Sequence, residues 1–249
     1  LSLCDAWKIP ARVMFRGPHF FHRLVGPEGG EFMKRLIASR GFGIASSDEV
    51  ADAAEGDGFL RITTSQFVMY DHDAVFLSVG LRRNTDFLAG SGVEIGEGIK
   101  TDEYLETAVP GVFAAGDVAE FYDVLFGKRR IVGNWTNAFL QGKLAGLNMT
   151  GERLALRALS SYSTTHFGVP IAALGECGVS GDSAERVDFA KNTYERYFFE
   201  GNAIVGAVII NRNSVRPHVS RLIETRTPIG SFRDRMSSFS FDIMEIPIV

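Results

Sequence analysis

The fold of this chain is decided by one stretch, Thr107-Ala108-Val109-Pro110-Gly111-Val112-Phe113-Ala114-Ala115-Gly116-Asp117-Val118. The apolar run 111–115 predicts a short buried strand that delivers a glycine and an acid to its carboxyl end, where open α/β sheets bind ligands. Gly116 has no Cβ, so a ligand chain can lie directly against its backbone. The Asp117 carboxylate can accept hydrogen bonds from a sugar-like hydroxyl. For these two residues alone, a plain turn after a strand is the alternative interpretation.

A second stretch lies upstream, Val79-Gly80-Leu81-Arg82-Arg83-Asn84-Thr85. Together, the two stretches resemble the pyridine nucleotide-disulfide oxidoreductase superfamily. The first is similar to its second FAD motif, a Thr, an apolar strand and Ala-x-Gly-Asp, which implies that Asp117 binds the ribityl chain, with Gly116 and Val118 beside it. The second is similar to the Gly-x-x-Pro-Asn stretch where the chain returns from the NAD domain to the FAD domain, which adds Gly80 to the cofactor-binding residues. Arg83 stands where proline is usual.

The helix after this motif is predicted over about Trp135 to Met149, with Asn134 placed to cap it. A helix N-terminus carries unpaired N–H groups and partial positive charge, which stabilise negative charge nearby. The resemblance implies that this end points at the isoalloxazine ring, which brings five residues near the flavin: Asn134, Trp135, Thr136, Asn137 and Ala138. For Trp135, a plain core aromatic is the alternative.

Residues 1–79 resemble the downstream part of the NAD(P)-binding domain. The pattern predicts a helix end, a strand over 11–15, a helix opened by Pro27, and strands over 59–63, 67–70 and 74–79, the last apolar on both faces. In NADH users the strand at 11–15 commonly ends in an acid that binds the ribose hydroxyls. Phe15 occupies that place and Arg16 follows, which indicates NADPH, whose 2′-phosphate favours a cation. A solvated strand-end arginine is the alternative.

From Tyr162 onward the pattern predicts a small α+β domain, with strands over 171–174, 193–199 and 203–210, a turn at 200–202 and a helix over 214–225. It resembles the C-terminal domain of rubredoxin-reductase-like members. The fold class is therefore α/β, part of a flavoprotein with Rossmann-like NAD and FAD domains plus a small α+β C-terminal domain. The expected division is 1–79 (NAD(P) domain), 80–152 (FAD domain), 153–230 (C-terminal domain) and 231–249 (a tail without an expected structure).

Composition excludes several classes of protein. A net charge of −4 is unlike a nucleic-acid binder, and no apolar run is long enough to span a bilayer. The two cysteines, Cys4 and Cys177, form neither a CxxC pair nor metal-ligand spacing, which favours a cytoplasmic location. His19 and His22 lack further nearby ligands, so no metal is expected. The opening without Met inside a helix-like pattern predicts a fragment.

The resemblance implies an FAD-dependent oxidoreductase that passes electrons from NAD(P)H through FAD to an acceptor such as a rubredoxin or ferredoxin. A disulfide or CoA-disulfide reductase and an NADH oxidase are the alternatives within the superfamily. A small acidic electron carrier would dock on the basic residues Arg82-Arg83 or Lys128-Arg129-Arg130, and a homodimer stays open. An incomplete, non-catalytic binding fragment is the alternative of another class: the chain lacks glycine-rich dinucleotide turns, so it is expected to bind FAD weakly or not at all.

Overall fold

The structure is a computed structural model that describes residues 1–178, 181–238 and 240–248. The chain divides into two compact units: unit 1 contains Leu1–Val79 and Ser163–Val249, and unit 2 contains Gly80–Tyr162. The division into four parts made from the sequence stays a prediction.

Strands outnumber helices in the described chain. The α-helices are α1 Ser2–Trp7, α2 Pro27–Ala38, α3 Trp135–Met149 and α4 Arg216–Glu224. The strands are β1 Arg12–Phe15, β2 Gly43–Ser46, β3 Val50–Glu55, β4 Leu60–Thr64, β5 Met69–His72, β6 Ile99–Lys100, β7 Ala119–Asp123, β8 Lys128–Arg130, β9 Ser161–His166, β10 Val169–Gly175, β11 Asp182–Asp188, β12 Thr193–Glu200 and β13 Ala203–Ile210.

The first part of unit 1 is a parallel pair of strands with a helix between them. β1 pairs in parallel with β2, and α2 crosses from one to the other, starting at Pro27, whose fixed φ suits a first helical position. The apolar face of α2 is buried; its members are Phe32, Met33, Leu36 and Ile37. The next three strands form a separate antiparallel sheet in the order β3-β4-β5.

The second part of unit 1 is a five-stranded antiparallel sheet in the order β11-β12-β13-β10-β9. All eight residues of β13 are buried, because this strand lies at the centre of the sheet. The β12–β13 turn falls at Gly201, which has φ 58°, a conformation that glycine adopts without steric cost. α4 packs against β13. The hairpin and the helix were both predicted from the sequence.

The C-terminal tail, for which the sequence indicated no structure, packs onto this sheet. Four of its apolar side chains are buried: Met236, Phe241, Ile243 and Ile246. Arg186 on β11 donates to the backbone carbonyls of Ser238 and Phe241, and its guanidinium also pairs with Glu195, opposite it on β12. Arg212 joins Glu195 to Asp242 of the tail. The described part of the tail is thus an integral layer of unit 1.

Unit 2 is built around α3 and a three-stranded sheet in the order β6-β7-β8. One apolar cluster brings Leu105, Phe121, Ala145 and Leu156 together. The buried side of α3 is nevertheless mainly polar, formed by Asn137, Gln141, Ala145 and Asn148. The amide of Asn148 explains this: it donates to the carbonyls of Tyr104 and Leu154 and accepts from the Leu154 N–H, so buried backbone groups obtain their hydrogen bonds.

Two predicted strands are absent from the structure. Residues 74–79 form no strand and are exposed, with Phe76 93% exposed. A strand apolar on both faces needs neighbours on each side, and the parallel pairs in the described chain, β1–β2 and β6–β7, do not include this segment. Residues 111–115 form only one bridge, from Phe113 to Glu106. Among the described residues, no helix combines the length and apolarity needed to cross a bilayer.

Candidate cofactor-binding site

The Gly116–Asp117 turn forms the centre of the candidate site. Gly116 is buried and has φ 86°, which an L side chain rarely adopts. Its N–H donates to Gln141 Oε1 of α3 at 2.7 Å. The Asp117 side chain is exposed and has no hydrogen bond or ion pair within the described residues. The turn therefore presents a free carboxylate on a fixed backbone, although a single bridge precedes it rather than the predicted strand.

The N-terminus of α3 lies beside this turn. The helix begins at Trp135, as predicted, and the Asn134 side chain caps it by accepting from the Asn137 N–H at 2.8 Å. A Cβ added at Gly133 would lie 3.5 Å from Asp117 Oδ2, and one added at Gly116 would lie 3.6 Å from the Ala138 Cβ. The carboxylate and the helix end are thus neighbours.

Two amide groups at this helix end remain available. The Asn137 N–H is capped, and the Ala138 N–H donates to the Asn134 carbonyl. The N–H groups of Trp135 and Thr136 have no acceptor among the residues that the structure describes. These N–H groups can donate hydrogen bonds to an electron-rich group of a ligand, and their positive partial charge attracts it.

Trp135 is not a core aromatic, which was the alternative interpretation. Its side chain is 78% exposed and stacks on Phe139 with ring centroids 5.5 Å apart and planes 13° apart. A flat aromatic surface therefore stands at the start of α3, beside the two available N–H groups.

The remaining predicted residues of unit 2 differ in their surroundings. Gly80 has φ 98° and is exposed, and a Cβ added there would meet no other atom within 4 Å. Val118 packs against the small cluster of Ile99, Ala114 and Ala119, and its carbonyl accepts from the Ile99 N–H. Arg83 reaches the turn itself, because its Nε donates to the Asp117 carbonyl at 3.0 Å.

Arg16 belongs to unit 1, where it directly follows the carboxyl end of β1. Its side chain is exposed and forms no ion pair with any described residue. The neighbouring loop is held by backbone bonds: the Ser47 N–H donates to the Gly17 carbonyl and the Asp48 N–H to the Phe15 carbonyl. The carboxyl ends of the two parallel strands β1 and β2 therefore lie together with an unpaired cation at their edge.

Two further reactive side chains of unit 1, Cys177 and His166, have contacts within the chain. The Cys177 thiol donates to the carbonyls of Leu174 and Ala207. His166 is half-buried against the Phe21 ring, and this burial lowers the pKa of its imidazole. In the described part of the chain, no group of three or more metal-ligating side chains comes together.

Gln141 is the residue that the sequence analysis missed. It is fully buried, and its Nε2 has no hydrogen-bond partner in the described structure. A buried donor without an acceptor is costly. The hydrogen bond that Gln141 Oε1 accepts from the Gly116 N–H is therefore the contact that holds the side chain in place. Polar residues four apart in an apolar helix, as at Asn137 and Gln141, are the sequence signal for such a role.

Replacing Gln141 by leucine is expected to accelerate hydrogen exchange of the Gly116 amide by about tenfold or more, because the buried N–H loses its acceptor. Exchange can be followed by NMR or by mass spectrometry of the peptide that contains the turn. Asn148→Leu, on the same buried side of α3, is the control. If it accelerates the Gly116 amide equally, the effect is general loosening of unit 2, and the specific role of Gln141 is wrong.

Comparison with known proteins identifies the family of the chain. A family model described as "Pyridine nucleotide-disulphide oxidoreductase" matches residues 5–142, more than half of the chain. The NADH oxidase of Enterococcus faecalis is 30% identical over 158 residues, which are 62% of this chain and 35% of that protein. The NADH oxidase of Methanocaldococcus jannaschii is 26% identical over 140 residues, or 56% and 31% of the two chains. The chain thus spans about a third of these curated relatives.

Solved structures agree in fold. A ferredoxin reductase from Rhodopseudomonas palustris gives a TM-score of 0.85 at 19% identity. The match covers 97% of this chain and 59% of the ferredoxin reductase. The putidaredoxin reductase of a covalent complex with putidaredoxin gives a TM-score of 0.83 at 17% identity, with 94% and 57% covered. The predicted α/β fold class is confirmed.

Proposed function

Because the chain belongs to the pyridine nucleotide-disulphide oxidoreductase family, we propose that it forms part of an FAD-dependent oxidoreductase that takes electrons from NAD(P)H. The observation that carries the proposal is the free Asp117 carboxylate beside the N-terminus of α3, where Gly133 lies close to it. FAD, when bound, supplies the chemistry of accepting hydride from NAD(P)H and passing electrons on.

The residues present fit the flavin part of FAD. Asp117 offers two acceptor oxygens for the hydroxyls of the polyol chain, and Gly116 allows the buried turn before it to adopt a positive φ. The free N–H groups of Trp135 and Thr136 would stabilise negative charge on the electron-rich edge of the flavin ring. Gln141 holds the Gly116 amide and so fixes the direction in which Asp117 points.

For the electron acceptor we propose a small carrier protein such as a ferredoxin or rubredoxin. The support is the fold shared with ferredoxin reductases and with the putidaredoxin reductase. The basic residues expected to dock this carrier have partners within the chain. Arg82 pairs with Asp86 and Arg130 with Asp123, while Arg129 donates to the carbonyls of Thr101 and Glu120.

Binding and reduction of FAD test the proposed function. The chain is titrated with FAD, and NADPH or NADH is then added without oxygen while the visible absorbance of the flavin is recorded. We expect weak binding, since the sequence contains no glycine-rich dinucleotide turn, and bleaching on addition of the nicotinamide. The complete absence of FAD binding at high protein concentration would contradict the proposal.

Arg16→Glu is expected to weaken NADPH binding by about tenfold and to leave NADH binding nearly unchanged, because only NADPH carries the 2′-phosphate that a cation favours. Calorimetric titration with both nucleotides measures the two dissociation constants. Arg23→Glu, at an exposed position in the same loop, is the matched control. An unchanged ratio of the two constants in Arg16→Glu, or an equal effect of Arg23→Glu, would exclude a specific role for Arg16.

A further inference from the structure

Arg83 makes a contact at the candidate site that the family pattern does not provide. Its Nε donates to the backbone carbonyl of Asp117 across 34 positions of sequence. The side chain is exposed, and among the described residues no carboxylate pairs with it. The Nη N–H groups of the guanidinium are therefore available to a ligand, next to the residue proposed to bind the polyol.

The adjacent arginine is in a different situation. Arg82 Nη2 lies 3.2 Å from Asp86 Oδ2, and both side chains are largely exposed. A surface pair of this kind neutralises the cation locally and contributes little to stability. Arg82 and Arg83 thus have the same chemistry and neighbouring positions, but only Arg83 contacts the Gly116–Asp117 turn.

The chemistry of FAD indicates what the free donors of Arg83 meet. The polyol chain ends in a phosphate, so a site that holds the polyol lies within a few bonds of an anion. A guanidinium presents planar, paired donors that match phosphate oxygens. Proline, which is usual in the family at this position, has neither charge nor donor.

We propose that Arg83 is a cofactor-binding residue that pairs with the phosphate joined to the polyol chain, with its Nε anchored on the Asp117 carbonyl. The inference rests on the proposed function of Asp117. It makes this chain differ from relatives with proline, because part of its flavin affinity then comes from a charge pair and decreases with added salt.

Three ligands separate the phosphate from the rest of the flavin: riboflavin, FMN and FAD. The unsubstituted chain, Arg83→Ala and Arg82→Ala are titrated with each ligand at low salt, with flavin fluorescence as the signal. Arg83→Ala is expected to weaken FMN and FAD by about tenfold, the effect of one charge-assisted contact, and to leave riboflavin unchanged. Arg82→Ala is expected to bind all three like the unsubstituted chain, and Arg83→Lys to retain part of the FMN affinity.

The outcomes separate this inference from the proposed function. Unchanged FMN affinity in Arg83→Ala overturns the phosphate contact, and so does an equal loss of riboflavin affinity, which would assign Arg83 to the turn alone. Asp117→Ala serves as the reference, because loss of the polyol contact weakens all three ligands. If the unsubstituted chain binds none of them, the proposed function fails and the role of Arg83 with it. Melting curves of all three alanine variants that match that of the unsubstituted chain show that the fold is retained.

Discussion

Glu195→Ala is expected to lower the free energy of unfolding of unit 1 by about 3–5 kcal/mol, because it leaves the buried Arg186 cation without its counter-charge. Glu195 is 2% exposed, and its carboxylate pairs with Arg186 and Arg212. It also accepts from the Tyr197 hydroxyl at 2.6 Å. Burial, followed by the charge of Glu195, raises the pKa of Tyr197 well above its usual range. A single carboxylate thus serves three partners, of which Arg186 and Tyr197 are buried.

Glu200→Ala on the same strand is the matched control. Glu200 pairs with Arg226 at the surface, where an ion pair contributes about 1 kcal/mol or less. Urea unfolding, followed through the exchange of β12 amides so that unit 2 does not interfere, measures both variants. If Glu195→Ala lowers the free energy of unfolding no more than Glu200→Ala does, the ion pairs of Glu195 do not hold the tail on the sheet.

Asp117→Ala is expected to weaken flavin binding by about 10- to 100-fold, because charge-assisted hydrogen bonds contribute roughly 1.5–3 kcal/mol. The carboxylate is exposed and lacks a partner in the described chain, so its removal leaves the stability of unit 2 unchanged. Asp117→Asn retains one acceptor oxygen, so its affinity for flavin is expected to lie between those of Asp117→Ala and the unsubstituted chain. Fluorescence titration with FAD measures the dissociation constants.

Asp86→Ala is the control for charge alone, since Asp86 is an exposed acid of unit 2 that pairs only with Arg82 in the described structure. If Asp86→Ala weakens FAD binding as much as Asp117→Ala does, Asp117 acts only through the net charge of unit 2. Equal affinity of Asp117→Ala and the unsubstituted chain would remove the basis for the flavin site.

The features that the sequence predicted well are those decided by neighbouring residues. The start of α3 depends on Asn134, whose side chain caps an amide three positions away. The turn at Gly201 and the start of α2 at Pro27 also follow from local backbone preferences. The prediction of FAD came from the family motif around Asp117. The residues alone fitted a plain turn equally well.

Features that depend on distant partners could not be predicted. The apolar run 74–79 has the pattern of a buried strand, yet a strand forms only where another strand pairs with it. Gln141 and Arg83 reach the turn across 25 and 34 positions, so no window of sequence connects them to Asp117. The buried polar side of α3 also contradicts the rule that apolar faces turn inward, because its amides serve backbone groups elsewhere in the unit.

The two segments of unit 1 meet at a hydrogen bond from the Gly26 N–H to the Tyr194 hydroxyl, which joins residues 168 positions apart. Translation produces these segments at different times. Unit 2 is continuous and can complete its contacts while later codons are still being read, whereas α2 has to wait for β12 to leave the ribosome. The packing of the first segment of unit 1 is therefore completed only after its second segment has been synthesised.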